Sequence, residues 1–99
     1  MFLLNAFSLQ MLSEFPANIK IKELQDFKLE DLSKISNLQS AIGHQDTANV
    51  LGVPMNRINV QLKKGDTALV AQLQGGRLPE GSTALPEGFS FKFLKVEID

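Results

Sequence analysis

Cysteine, tryptophan and tyrosine are missing from this chain of 99 residues, and histidine occurs once, at His44. Without cysteine there can be no disulfide, iron–sulfur cluster or thiolate–zinc site, and a lone imidazole argues against any other metal centre. The same absence fits a reducing cytoplasm. Excess positive charge is also missing: 10 Lys and Arg against 11 Asp and Glu give a formal net charge of -1. Broad attraction to duplex DNA or an anionic membrane needs a field of Lys and Arg, so an anionic ligand must be held by local contacts. No run approaches the roughly 20 apolar residues of a bilayer span. Met1-Phe2-Leu3-Leu4 is apolar, but it has no basic leader and is soon interrupted by Asn5, Ser8 and Gln10. It therefore reads as a buried strand and not as a signal peptide.

What is present suits one compact domain over residues 1–99, since an apolar content of 43% is enough to build a core at this length. Phe2 to Leu4 reads as a strand, and Ser8 as the N-cap of a helix from Leu9 to Phe15 that Pro16 stops. Ile19 and Ile21 alternate with Lys20 and Lys22 as in a half-buried strand, and Glu23 to Asn37 reads as a short helix and loops. Leu38 to Gly43 suits a brief strand, and Asp46 or Thr47 a cap for a helix running to about Leu51 and closed by Gly52 and Pro54. His44 then stands just before that helix. Ile58, Val60 and Leu62 alternate up to a turn at Lys64-Gly65-Asp66, which predicts a hairpin with Ala68 to Leu73. Gly75, Gly76, Gly81 and Gly88, with Pro79 and Pro86, predict an irregular, mobile loop from Gln74 to Gly88. In the last strand, Phe89 to Ile98, the apolar phase slips at Phe93-Leu94, which predicts a bulge. The fold class is α/β, a mixed sheet flanked by short helices.

The usual cofactor and hydrolase fingerprints, from GxGxxG and the P-loop to GxSxG and HExxH, are absent, and the sequence calls for no cofactor. A looser set of residues remains. Asn5-Ala6-Phe7-Ser8 lies where a strand hands over to a helix, a place where free backbone N–H groups can hold a phosphate. The alternative is that Ser8 only caps its helix and Asn5 only satisfies a turn. Ile42-Gly43-His44 repeats the geometry, with an imidazole able to give a proton to a leaving oxygen. Arg57 and Arg77 stand out in a chain that otherwise uses lysine, and guanidinium suits bidentate phosphate recognition; their alternative is simple solvated charge. Glu80 can orient Arg77 or His44, or be one more loop carboxylate. Phe7 can stack on a base or be buried beneath the first loop.

The order of these pieces carries a resemblance: Leu4-Asn5-Ala6-Phe7-Ser8 with Met11-Leu12 and Phe15-Pro16, then Ala41-Ile42-Gly43-His44 with Thr47, Asn56-Arg57, Gly65-Asp66 and Arg77-Leu78-Pro79-Glu80-Gly81. In these motifs the chain resembles the viral type III anti-CRISPR ring nucleases. The resemblance implies a homodimer that binds cyclic tetra-adenylate and cuts it to linear di-adenylate without a metal, switching off type III CRISPR signalling in the host cytoplasm. It implies that a ribose 2′-hydroxyl attacks its own 3′-phosphate while His44 protonates the departing 5′-oxygen. Arg77 and Glu80 would share the catalytic role, and Asn5, Ser8 and Arg57 would hold the ring. Gln72 is placed where it can contact adenine. One departure is plain: Ser82 to Gly88 is short where viral members carry a longer, helix-forming insertion.

Overall fold

In the computed structural model, which describes residues 1–99, the strands are β1 (Phe2–Leu4), β2 (Ile19–Glu23), β3 (Gln39–Ser40), β4 (Thr67–Gln74) and β5 (Ser90–Ile98). They form one five-stranded sheet in the order β2-β5-β4-β1-β3. β1 is parallel to both β3 and β4, whereas β5 runs antiparallel between β4 and β2. A single α-helix, α1 (Gln45–Leu51), and 3-10 helices at Leu9–Met11 and Leu29–Lys34 complete the fold. The expected α/β class, a mixed sheet with short helices, is the architecture found. No helix is long and apolar enough to cross a membrane.

Strand alternation sends side chains to opposite faces, and here both faces are covered. Leu3, Leu69, Ala71 and Phe93 pack on one face with Leu32, Ile42, Ala48 and Leu51, so that α1 and the second 3-10 helix lie over it. Leu4, Ala68, Val70, Val96 and Ile98 pack on the other with Leu12, Val60 and Leu62. Each such aliphatic side chain stabilises the fold by about 1.5–3 kcal/mol on full burial.

Burial on two faces explains why no bulge forms in β5. Its pairing with β4 is continuous from Thr67↔Glu97 to Gln74↔Ser90. Phe91 and Phe93 pack on the α1 face, while Leu94, Val96 and Ile98 pack on the opposite one. The slip in apolar phase marks a change in which face is apolar, with the register unbroken.

Two other expectations are corrected. The hairpin between Ile58–Leu62 and Ala68–Leu73 does not form, because β4 has β5 on one side and β1 on the other and so offers no free edge. Val60 and Leu62 still point inward, and Leu62 makes an isolated parallel bridge to Leu12. The turn itself survives, with Lys63 N–H donating to Asp66 Oδ2 at 3.0 Å and Gly65 at φ 95°. The helix over Leu9–Phe15 shrinks to the 3-10 turn Leu9–Met11, after which Leu12 adopts extended backbone. Isolated helices this short are marginal, and burying Leu12 beside Leu62 outweighs the few helical hydrogen bonds forgone.

The second 3-10 helix is secured at its start by Asp31, whose carboxylate accepts from Lys28 N–H at 2.8 Å and from Lys34 Nζ at 3.1 Å. The Lys28 bond, and then Lys34, hold the Asp31 carboxyl below its ordinary value. Its contribution is complete at neutral pH and is lost as acid titrates the folded-state group.

The long loop between β4 and β5 is irregular, as expected, but its neck is tight. A Cβ on Gly75 would lie 2.7 Å from the Gly88 carbonyl oxygen and 3.1 Å from Phe89 Cα, whereas one on Gly76 meets nothing within 4 Å. Both glycines have positive φ, so alanine strains either site by about 1–3 kcal/mol, and at Gly75 the clash adds to that strain. Gly75→Ala is expected to lower the thermal midpoint well beyond Gly76→Ala; equal midpoints would count against a closed neck.

Candidate functional site

Because β1, β3 and β4 are parallel neighbours, the segments leaving their carboxyl ends emerge together at one edge of the sheet. In open α/β sheets this edge is where ligands bind. Asn5 to Ser8 leave β1, Ala41 to His44 leave β3, and Gly75 to Arg77 leave β4.

His44 is itself the N-cap of α1, in place of Asp46 or Thr47, which lie in the first turn. Its Nδ1 accepts from Thr47 N–H at 3.4 Å and lies 3.3 Å from Thr47 Oγ1. With Nδ1 accepting from Thr47 N–H the ring carries its hydrogen on Nε2, and a second proton placed on Nδ1 has Thr47 Oγ1 as its acceptor. The imidazole is half-buried. The proton-bearing nitrogen is therefore turned away from the helix that holds the ring. Gly52, at φ 73°, ends α1 as expected.

Arg57 is exposed, and its Nε donates to the Gly43 carbonyl at 2.8 Å. Its neighbour Asn56 donates twice to the outer edge of β3: backbone N–H to Ile42 O and side-chain Nδ2 to Ser40 O, both at 2.8 Å. Three consecutive anchors thus hold Ser40 to Gly43, the segment that delivers His44. Fixing Arg57 through Nε leaves its two terminal nitrogens facing outward for an anion.

Arg77 and Glu80 occupy a loop pinned to the same edge. Leu78, between them, is buried to 5% exposure. Pro79 to Ser82 form a turn in which Ser82 Oγ donates to Pro79 O at 2.6 Å. Gly81 N–H donates to Asp46 Oδ1 at 3.1 Å, joining this loop to the first turn of α1 two residues beyond His44. The three ion pairs, Lys34–Asp31, Lys92–Glu23 and Lys95–Glu97, all lie elsewhere, so both arginines are unneutralised. Glu80 makes no ion pair with either Arg77 or His44.

Other candidates are placed differently. Ser8 caps its 3-10 turn by accepting from Gln10 N–H at 3.3 Å, as the plainer reading had it, while Asn5 is exposed. Phe7 is half-buried against the core on the face away from α1. Gln72 pairs in register with Lys92, on the face that carries Val70 and away from α1, and its Oε1 accepts from Gln74 Nε2 at 3.3 Å. Within one chain it does not join His44. Arg57 and Arg77 are exposed and His44 half-buried, so within a single chain the site lies at the surface. The organising parts played by Asn56 and Asp46 have no local signature, because their partners lie 16 and 35 residues away.

Fold and site together define a small mixed α/β domain that carries one imidazole and two unpaired guanidinium groups at the carboxyl edge of its parallel strands. The model of the STIV B116-like family matches residues 1–90, and the chain belongs to that family. It is similar in structure to B116 of Sulfolobus turreted icosahedral virus (STIV), with 34% sequence identity, a TM-score of 0.75 and 97% of each chain covered. No curated protein sequence matches.

Proposed function

We propose that this chain is a ring nuclease that opens cyclic tetra-adenylate without a metal, giving linear di-adenylate. The observation that carries the reading is the gathering of His44, Arg57 and the Arg77–Glu80 loop at one edge, with the imidazole held through Nδ1 so that Nε2 has no partner, and neither arginine in an ion pair. The ordered motifs shared with ring nucleases, and membership of a family named for a viral protein, support it further.

In this mechanism the nucleophile belongs to the substrate. The ribose 2′-oxygen forms a bond to its own 3′-phosphorus and releases its proton to solvent. The P–O5′ bond breaks, and the departing 5′-oxygen takes a proton from Nε2 of His44 in its protonated form, which is left as the neutral ring with Thr47 Oγ1 beside Nδ1. The product ends in a 2′,3′-cyclic phosphate. A positioned acid contributes about 10²–10⁴-fold to such a step. Arg77 and Arg57 stabilise charge on the phosphoryl oxygens, Asn5 and Ser8 hold the ring, and Glu80 supports Arg77. A two-fold homodimer suits a four-nucleotide ring: two His44 residues cut opposite phosphodiesters, and a second copy encloses what is an open surface in one chain. Gln72 then reads an adenine from the facing subunit. In a virus, acting in the host cytoplasm, this reaction switches off type III CRISPR signalling.

Incubating the protein with cyclic tetra-adenylate in EDTA is expected to give linear di-adenylate, and tri- and hexa-adenylate rings test ring size. An intact ring after a single-turnover incubation would sink the cleavage reading. The ring bound tightly but recovered whole would instead mark a sponge or sensor, a reading favoured by one feature: Ser82 to Gly88 contains no helix to close over a ligand.

A further inference from the structure

Asp46 lies in the first turn of α1, two residues from the proposed acid, and is half-buried. A carboxylate suits the first turn of a helix, but this one also lies beside the proposed ligand surface. A carboxylate beside a surface meant for phosphodiesters repels them, and His44 already caps the helix by accepting from Thr47. What Asp46 does is accept from Gly81 N–H at 3.1 Å, across 35 residues. No cation pairs with it.

The tethered segment is short and firmly built. Leu78 is buried at one end, Pro79 to Ser82 close into a turn, and Gly81 has φ 81°, a backbone conformation that directs its N–H toward α1. Arg77 and Glu80 therefore stand on either side of the buried Leu78, with the Asp46 contact immediately after Glu80. Without that contact, Leu78 is the loop's only hold on the domain between Arg77 and Glu80, and Glu80 swings on the free turn. We infer that Asp46 is a positioning residue: it latches the Arg77–Gly81 loop to α1 and so sets Arg77 and Glu80 against the proton-bearing side of His44.

This inference rests on the ring-cleavage reading, and it reverses the sign expected from charge alone. Were Asp46 only a bystander, removing its charge beside an anionic substrate would tighten binding and leave or raise the rate. The latch makes the opposite demand. Charge-assisted hydrogen bonds are about twice as strong as neutral ones, and an oxygen in the same place still accepts when uncharged.

The test compares Asp46→Ala with Asp46→Asn. Asp46→Ala is expected to lower the single-turnover rate at saturating cyclic tetra-adenylate about 10-fold. Ring affinity should move less than about 3-fold, because Asn5, Ser8 and Arg57 hold the ring from other elements. Asp46→Asn, which keeps the acceptor, is expected to recover most of the rate. Amide hydrogen exchange read at Gly81 and Ser82 in the ligand-free protein should quicken in Asp46→Ala and stay near the parent value in Asp46→Asn. An alanine variant that cleaves as fast as the parent, or faster, overturns the inference, as does unchanged exchange at Gly81. If the parent protein itself leaves the ring intact, the cleavage reading fails alone, and exchange at Gly81 still decides whether the latch exists.

Discussion

Replacing His44 by alanine is expected to slow ring opening about 10²–10⁴-fold while ring binding is largely kept. The structure adds a complication to this experiment, because the same side chain caps α1. Loss of an N-cap acceptor costs about 0.5–2 kcal/mol, so His44→Ala is expected to melt at a lower temperature as well as to react slowly. His44→Asn separates the two effects. Asparagine is a good N-cap and presents an oxygen to Thr47 N–H, yet it has no proton to deliver at neutral pH. Its rate is expected to fall as far as that of alanine, with a melting temperature closer to the parent. An asparagine variant that cleaves at the parent rate would remove His44 from the chemistry and leave it a cap.

The largest effect on stability is expected at Phe93. It lies midway along β5, 4% exposed, opposite Ala71 and edge-to-face with the ring of Phe27, with centroids 4.8 Å apart and planes inclined at 61°. Its carbonyl also accepts from Leu24 N–H at 2.8 Å, prolonging the pairing of β2 beyond Glu23. Phe93→Ala removes the ring and leaves a cavity between the sheet and the 24–35 segment, at a cost of about 3–5 kcal/mol. Small domains have about 5–15 kcal/mol in all, so this one change should leave the chain marginally folded. In urea the midpoint is expected to fall sharply with the slope unchanged. Ile21→Ala, at a side chain 56% exposed on β2, serves as the control and should stay within about 0.5 kcal/mol of the parent. A Phe93→Ala midpoint like that of the control would mean that the core on the α1 face does not bear the load assigned to it.

The elements with strong local patterning are those that sequence alone placed well. β1, β2, β4 and α1 follow from their own apolar patterning, with Gly52 closing α1, and the Lys64-Gly65-Asp66 turn forms on its own Asp66 side chain before Glu14 and Ile98 add bonds to it. Errors arose where a distant partner decided the outcome. Ile58 to Leu62 alternates as a strand does, yet strand status depends on a free edge, and β4 has none left to give. Leu9 to Phe15 carries a cap and a stop, yet Leu12 is drawn into the core next to Leu62. In β5 both faces are buried, Phe91 and Phe93 on one and Leu94, Val96 and Ile98 on the other, so a slip in apolar phase does not require a bulge. At the site, residue type pointed to His44, Arg57 and Arg77, because imidazole and guanidinium are scarce here and suit phosphate chemistry. Their shared edge could not be seen without the parallel order of β1, β3 and β4. Gln72 shows the converse: its residue type says nothing of the face it takes, which β4 sets on the side of Val70, away from His44 of the same chain.

The loop between β4 and β5 is fastened at a neck, where Gly75 meets Gly88, and again at Leu78 and Gly81, so the anchors of its Arg77–Gly81 part all fall before Ser82 or at Gly88. Thr83 and Ala84 are exposed, and the stretch from Thr83 to Glu87 makes only a local bond, from Phe89 N–H to Pro86 O at 3.1 Å. Lengthening a flexible stretch costs only about 0.6 kcal/mol per doubling, and here an insertion would displace none of the anchors that position Arg77 and Glu80. The crossing can therefore be lengthened without disturbing the floor beneath it, and if that floor holds a ligand, as proposed, the added length would tune how long the ligand stays.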